Sequence, residues 1–373
     1  MQVTPPDIGD HRTRILILIK GLGIGGAERL VSEGSRFWST DEFDYRVAYV
    51  LPWKDHLVPD LAANGIEAVC IGGGRWSLNA PTRFRSLVRS WRPSLVHAHL
   101  PTTGILARMG TATPVIYTEH NLAGSYRAAT RTLNRLTYGR NREVVAVSDA
   151  VAESLAGYPG PPVQVIPNGV MVAVADGTRG RVRKELEIDA DRPLVVHVGN
   201  VRPWKGHATL IKAVPLLRES IPGVVVVSLG AEKHRGDLDR LRREAEEEGT
   251  GDTLRFLGRR QDAVDFIAGA DVFVNPSDVE GLPLVILEAM MAGTPVAATA
   301  AGGVPSVVRD GETGRLVPVG QPEALAAAVA DLLSDSEGAK EMADRARDLV
   351  ETDFGLERMV GAYESLYRRV LDG

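Results

Sequence analysis

At 373 residues the chain exceeds what one ordinary hydrophobic core carries and fits two domains of about 150–200 residues. Hydrophobic residues make up 44% and charged residues 24%, the balance of a globular protein in water, and a net charge of -5 argues against a nucleic-acid partner, which would favour a basic face. Cys70 is the sole cysteine, which excludes a disulfide framework and a thiolate metal cluster; with no apolar run near the ~18 residues of a membrane span and no apolar signal core in residues 1–14, a cytoplasmic chain is expected.

Along the chain, short β-branched runs alternate with longer amphipathic stretches. Strands are predicted at 14–20, 45–51, 68–72, 95–99, 115–120, 144–148 and 163–167, then at 194–199, 224–230, 254–258, 272–276, 296–299 and 315–319. Such alternation implies parallel sheets with crossover helices, and many runs are apolar on both faces, as buried parallel strands are. The turn-rich, aperiodic stretch 168–180 separates the two series, which places the domain boundary near 170. Residues 1–170 and 171–355 are then two doubly wound α/β domains, with ligand expected in a cleft beside the C-terminal ends of their strands. Residues 356–371 carry Met359, Tyr363, Leu366, Tyr367 and Val370 at helical spacing.

Several polar groups sit where such sheets bind ligands. Gly21, Gly23 and Gly26 follow the first strand and match the dinucleotide fingerprint G-x-G-x-x-G, but the second strand ends Val50-Leu-Pro-Trp53 without the acidic residue that would hold a ribose. The loop reads instead as one whose backbone at Gly25 and Gly26 closes on a diphosphate, or as a structural turn. His97, His99 and His120 stand at strand ends. His97 and His99 point the same way and could mimic metal ligands, yet no third ligand is evident and they read as structural. His120, in the polar run Glu119-His-Asn121, reads as functional. Residues 124–142 hold five arginines and no acid, with Arg127, Arg131 and Arg135 on one helical stripe. Either this helix packs its short apolar side, drawn from Tyr126, Leu133, Leu136 and Tyr138, on its own domain, or it makes weak contact with an anionic membrane.

In the second series, Arg202 and Lys205 follow a strand and offer fixed positive charge to a departing diphosphate. Asp189-Ala-Asp191 and Asp237-Leu-Asp239 match the D-x-D pair of metal-dependent sugar transfer, but read as a turn and a helix face, so no metal site is predicted. The most informative segment is Glu280-Gly-Leu-Pro-Leu-Val-Ile-Leu-Glu288. Pro283 suits a first helical turn and Gly293 a C-terminal cap, leaving N–H groups from about Leu282 to Leu284 and Val285 open to an anion. Carboxylates at both ends of an anion site describe a sugar nucleotide, with Glu280 on sugar hydroxyls and Glu288 on a ribose. Alternatively both merely favour a helix N-terminus.

With these residues assembled, the chain resembles the retaining glycosyltransferases of family 4, which have the two-domain GT-B fold. The resemblance is most specific from Gly258 to Pro318 and extends to Ala27-Glu-Arg29, Ala146-Val-Ser-Asp149 and Ile166-Pro-Asn-Gly169. It implies that Glu280 with Gly281, Leu282, Pro283 and Leu284 meets the donor sugar and diphosphate, and that Glu288 meets the ribose. It sets Arg202 and Lys205 on the diphosphate with Gly25 and Gly26, puts His120 beside the transferred sugar, and puts Arg260 to Asp262 near the base. It also implies that helix 356–373 packs back on the first domain. Many members have Gly-Arg where this chain has Gly199-Asn200, so Arg202 must substitute for that arginine. The expected reaction moves a sugar from a UDP- or GDP-sugar to an acceptor hydroxyl or amine, with no cofactor, no metal and retained configuration; the acceptor is a small molecule, a glycan or a lipid-linked group. The rival readings are a sugar-nucleotide epimerase of the same fold, an NAD-dependent dehydrogenase and a non-catalytic sugar-nucleotide-binding protein.

Overall fold

The computed structural model describes residues 12–73 and 79–373. Seven strands form the first sheet: β1 Thr13–Ile19, β2 Phe43–Tyr49, β3 Glu67–Cys70, β4 Leu95–His99, β5 Val115–Glu119, β6 Glu143–Ala146 and β7 Val163–Val165. Six form the second: β8 Leu194–Val198, β9 Val225–Leu229, β10 Leu254–Gly258, β11 Val272–Asn275, β12 Val296–Thr299 and β13 Arg315–Val317. Each predicted strand is present, with ends within two residues of the expected ones: β1, β2, β3 and β6 begin earlier, and most strands end before the following turn.

All pairings are parallel, in the orders β3-β2-β1-β4-β5-β6-β7 and β10-β9-β8-β11-β12-β13. Both orders reverse direction once, between β1 and β4 and between β8 and β11. Loops leaving those strands diverge to opposite faces, and the crevice they open is where doubly wound sheets take ligands. Strand composition follows from burial on both faces: Ile15 to Ile19 are 0–2% exposed, as are Val225, Val226 and Val227. In the first sheet Leu16, Leu18, Ala48, Val96 and Ala98 pack on Phe84 and Trp91 of helix Ala80–Trp91. In the second, Val195, Val226, Val272 and Val274 pack on Leu210, Ile211 and Val214 of helix His207–Ser220 and on Leu325 and Val329 of helix Pro322–Ser334.

The chain divides into two compact units. Described residues up to Val147, with Ala152–Ile166 and Met359–Gly373, make the first; Ser148–Val151 and Pro167–Arg358 make the second. Helix Leu356–Asp372 buries the five residues its spacing marked, Met359, Tyr363, Leu366, Tyr367 and Val370. A buried carboxylate pins it within the first unit: Glu364 accepts from Ser39 N at 2.8 Å, Ser39 Oγ at 2.7 Å and Tyr45 OH at 2.9 Å. Among the described residues no helix is long and apolar enough to cross a membrane.

The apolar side read for residues 124–142 divides: Tyr138 is buried and Tyr126 half-buried, whereas the leucines face outward. In Ala128–Thr137 the leucines do not pack on the domain: Leu133 is 42% and Leu136 77% exposed, while Asn134 and Thr137 are buried. The reason is Arg108, buried on helix Pro101–Gly110. Its guanidinium donates to Asn134 Oδ1 at 2.6 Å, Thr137 Oγ1 at 3.1 Å and Asn141 Oδ1 at 3.2 Å. A buried cation must be hydrogen-bonded, and that requirement outweighs the small area two leucines would bury.

Candidate functional site

In the second unit the loops leaving β8 and β11 meet at the switch point. Lys205 Nζ lies 2.6 Å from Glu280 Oε1, pairing the cation and the carboxylate the sequence singled out. Gly206, at φ 69°, holds the first loop close: an added Cβ would overlap the Pro276 carbonyl, so both conformation and space require glycine. Arg202 is not brought to the pair; its guanidinium turns back to Val201 O at 3.3 Å.

The turn after β11 is braced from behind. Ser148 Oγ donates to Gly281 O at 2.9 Å, Asn168 Nδ2 to Leu282 O at 2.8 Å, and Gly303 N to Glu280 O at 3.4 Å. A Cβ on Gly302 or Gly303 would collide with the Glu280 or Gly281 carbonyl. Trans peptides point N–H opposite to C=O, so bracing these carbonyls turns the Gly281 and Leu282 N–H groups away from the braces. Helix Leu284–Ala292 follows, and Pro283 is its cap (φ -75°, ψ 121°), one position before the first turn in which the sequence reading set it. Ile286 N reaches Pro283 O at 3.2 Å, while helix geometry leaves the Leu284 and Val285 N–H groups without an intrahelical acceptor. The result is a short run of N–H donors beside an ammonium group, which suits an anion. Glu280 and Glu288 are 7% and 3% exposed, and Gly293 ends the helix at φ 71°.

Arg260 and Asp262 engage each other. Arg260 donates to both Asp262 oxygens at 2.8 and 2.7 Å, pairs with Glu185 at 2.7 Å and covers the Phe266 ring. The hydrogen bond from Arg260 holds the Asp262 carboxyl below its ordinary range. Of the D-x-D pairs, Asp189 and Asp191 lie exposed before β8; Asp237 opens helix Asp237–Glu247, and Asp239 pairs with Arg242 at 2.9 Å. Among the described residues no group of three or more His, Cys, Asp or Glu side chains is arranged to hold a metal ion.

In the first unit, Gly25 caps helix Gly26–Gly34 directly after β1. The space a Cβ on Gly25 would need is filled by the Glu28 carboxylate, folded back on its own helix; burial raises that carboxyl above its ordinary value. Gly21 lies against Lys54, whose Cβ a side chain there would meet at 2.8 Å, and Leu22 N donates to Lys54 O at 2.6 Å.

At the ends of β4 and β5 the three histidines assemble. His97 Nδ1 meets Tyr367 OH at 2.6 Å and its Nε2 meets Thr118 Oγ1 at 2.7 Å; His99 Nδ1 meets His120 Nε2 at 3.0 Å. Burial lowers their basicity, His97 to about 3, His120 to about 4 and His99 well below its ordinary value, so all three are neutral at pH 7. With Ile17, Leu30, Tyr45, Tyr363 and Glu364 they line a cavity of about 30 Å³, room for about two waters. Leu100, the residue after His99, has φ 73° and ψ 154°, near a region essentially reserved for glycine and costing about 1–3 kcal/mol. Next to His120, Glu119 is buried and pushed up to about 7, first by burial, while accepting from Tyr117 OH, from Tyr126 OH at 2.5 Å and from the N–H groups of His120 and Asn121.

Sequence reasoning missed Ser148, Asn168, Gly302 and Gly303 as site residues. The first two stand in the stretches Ala146–Asp149 and Ile166–Gly169 that carried the family likeness, which was the available signal. The Gly302-Gly303 pair carried none beyond its composition.

Comparison with known proteins bears on both units. The family described as Glycosyltransferase Family 4 matches residues 24–174, and that described as Glycosyl transferases group 1 matches residues 178–349. The chain is 32% identical over 299 residues to the D-inositol 3-phosphate glycosyltransferase of Corynebacterium glutamicum, covering 73% of this chain and 71% of that protein. It is 34% identical over 239 residues to the lipopolysaccharide core biosynthesis glycosyltransferase LpsE of Rhizobium meliloti, covering 62% of this chain and 66%, just under two thirds, of that one. Among solved structures, Anabaena HepE in complex with UDP superposes with a TM-score of 0.83 at 21% identity, covering 96% of this chain and 100% of that one. Sucrose-phosphate synthase of Thermosynechococcus elongatus gives 0.84 at 23% identity, covering 97% and 100%. At these identities the structural likeness shows the fold, and it extends over both units.

Proposed function

The chain belongs to the group 1, family 4 glycosyltransferases of GT-B fold, and on that premise we propose that it moves a sugar from a UDP- or GDP-sugar to an acceptor hydroxyl or amine, with retained configuration and without a metal. The observation that carries the reading is the Lys205–Glu280 pair beside the N–H donors that open helix Leu284–Ala292. The diphosphate binds to the Gly281, Leu282, Leu284 and Val285 N–H groups. Lys205 turns from Glu280 to the β-phosphate, where it stabilises the negative charge that builds as the sugar leaves. Glu280, freed of Lys205, accepts hydrogen bonds from sugar hydroxyls, and Glu288 receives the ribose. Arg202 adds charge to the diphosphate, and Arg260 with Asp262 borders the base. Gly25, Gly26 and His120 act on the same donor in this reading. With Glu280 committed to hydroxyls, no carboxylate serves as nucleophile. The acceptor oxygen attacks from the face the diphosphate leaves, forming the new C–O bond as the old one breaks, and its proton passes to a departing phosphate oxygen.

The acceptor is a small molecule, a glycan or a lipid-linked hydroxyl. The exposed Leu133 and Leu136 among Arg127, Arg131 and Arg135 favour a weak, salt-sensitive contact with an anionic membrane through residues 124–142. A thermal-shift screen against UDP, GDP, ADP and TDP, followed by turnover in EDTA, tests the reading. A nucleotide at one hundred times its dissociation constant should stabilise by about 2.7 kcal/mol, and turnover should survive the chelator. Donor consumed and rearranged with no acceptor present would favour an epimerase instead, and loss in EDTA with rescue by magnesium or manganese would overturn metal independence.

A further inference from the structure

β4 and β5 run parallel with His99 opposite Thr118, so His97, His99, Thr118 and His120 all face one side. The polar contacts step diagonally across the two strands. His97 is fixed at both ring nitrogens, by Tyr367 and by Thr118, and Thr118 is itself within 3.3 Å of Tyr363 OH. His99 lies against that fixed ring, with centroids 4.2 Å apart, and reaches His120 through Nδ1. Among the described residues the ring contacts of His120 are to His99.

The backbone after His99 is held at a cost that a purely structural histidine would not explain. The positive φ of Leu100 precedes a proline and is locked from several directions. Leu100 N donates to Thr118 O at 3.0 Å, Gly104 N donates to Leu100 O at 3.0 Å, and the Thr103 hydroxyl reaches both the Leu100 and His99 carbonyls. Strain that the surroundings over-determine in this way clusters where a side chain must stand in one place. Here that side chain is His99.

We infer that His99 is a positioning residue for His120, fixing its ring plane and its tautomer, with the strained Leu100 backbone setting where the His99 ring stands. One proton is shared between two facing ring nitrogens, so the tautomer of one ring dictates that of the other, and with it whether His120 offers its remaining nitrogen Nδ1 as a donor or an acceptor. The inference rests on the role proposed above for His120.

The test combines ring-nitrogen NMR of histidine-labelled protein with steady-state kinetics on His99→Leu, His99→Asn, Leu100→Gly and His120→Ala. His99→Leu fills the volume without a hydrogen-bonding atom, whereas His99→Asn keeps one near the Nδ1 position. His99→Leu should convert the His120 nitrogen signals from one tautomer to a mixture and lower kcat at least about 10-fold, the size of effect seen when an orienting partner is lost, with donor KM unchanged. His99→Asn should restore most of both. Leu100→Gly leaves the imidazole intact and should also loosen the His120 tautomer and lower kcat, without lowering the melting temperature; it carries the test if His99→Leu fails to fold. A His120 tautomer indifferent to both changes overturns the inference, as does wild-type kcat in His99→Leu when His120→Ala is inactive. If His120→Ala keeps full activity while its tautomer in the other variants follows His99, the positioning link stands and the functional role of His120 falls.

Discussion

The two sheets share a strand order and solve opposite problems at their switch points. In the second unit the edge keeps its charges: Lys205 and Glu280 form an ion pair beside open N–H groups. In the first, two buried histidines and a half-buried third stand neutral around a cavity walled by Ile17, Leu30 and Met359. A cation in that cavity would lose its water, which is why burial is the first cause of each lowered histidine pKa. Lys205 has Glu280, and its side chain is 23% exposed. Topology decides where ligands meet the sheet; the burial of the edge decides whether it meets them with charge or with neutral hydrogen bonds.

The largest effect expected from breaking this contrast is on catalysis. Lys205→Ala removes the cation at the charged edge and should cost roughly 2.7–4 kcal/mol in activation free energy, about 10²–10³ in kcat. Steady-state kinetics with saturating donor reads it, and wild-type kcat would make the pair a surface feature. A Glu280→Gln exchange should raise donor KM and lower kcat together, because the carboxamide accepts from hydroxyls less strongly.

Next comes a pH dependence that separates the units. Glu119 has its folded pKa raised to about 7 from 4.5, so its stabilisation is fully present below pH 4.5 and lost as pH rises to about 7. At 1.36 kcal/mol per unit that is about 3 kcal/mol. The lowered histidines act in the opposite sense: the unfolded chain takes up protons first, so both units lose stability as pH falls below about 6.5, toward about 4 for His120 and for His207 of the second unit. From pH 5 to 6.5 the three lowered histidines of the first unit outweigh Glu119, so hydrogen exchange should show protection rising with pH in both units. Glu119→Gln should steepen that rise in the first unit and leave the second unit's unchanged; a first-unit profile indifferent to Glu119→Gln would contradict the assignment.

A smaller effect, about 1–3 kcal/mol of strain and overpacking, is expected from Gly206→Ala, whose Cβ would overlap Pro276 O at a positive φ. Gly177→Ala, also at positive φ with nothing within 4 Å, should lose less, and its nucleotide affinity should be untouched. The smallest concerns helix Ala128–Thr137: Leu136→Ser should change stability by no more than about 0.5 kcal/mol, yet reduce co-sedimentation with anionic vesicles at low salt. No binding of the parent protein to such vesicles would remove the membrane contact.

What the sequence made legible follows from how local its signals are. Buried parallel strands are continuous β-branched runs, so Leu95–His99 and Val296–Thr299 could be bounded to the residue. Helix Leu356–Asp372 was readable because its five apolar residues repeat at 3.6. Lys205 and Glu280 were singled out separately, each from its place after a strand, but their contact joins positions 75 residues apart. The braces Ser148 and Asn168 act on backbone carbonyls more than 110 residues away, and such contacts leave no pattern in the chain. For helix Ala128–Thr137 the sequence left two faces open, and the buried Arg108 on another helix decided between them by claiming the inner face for Asn134 and Thr137.

The most direct test of the account is proton NMR of the product made by the purified protein from an anomerically defined UDP- or GDP-sugar, in the presence of EDTA. The account predicts transfer with the donor's anomeric configuration kept, and its loss in Lys205→Ala. A product of inverted configuration, or a donor untouched by the intact protein with every acceptor class offered, would contradict it.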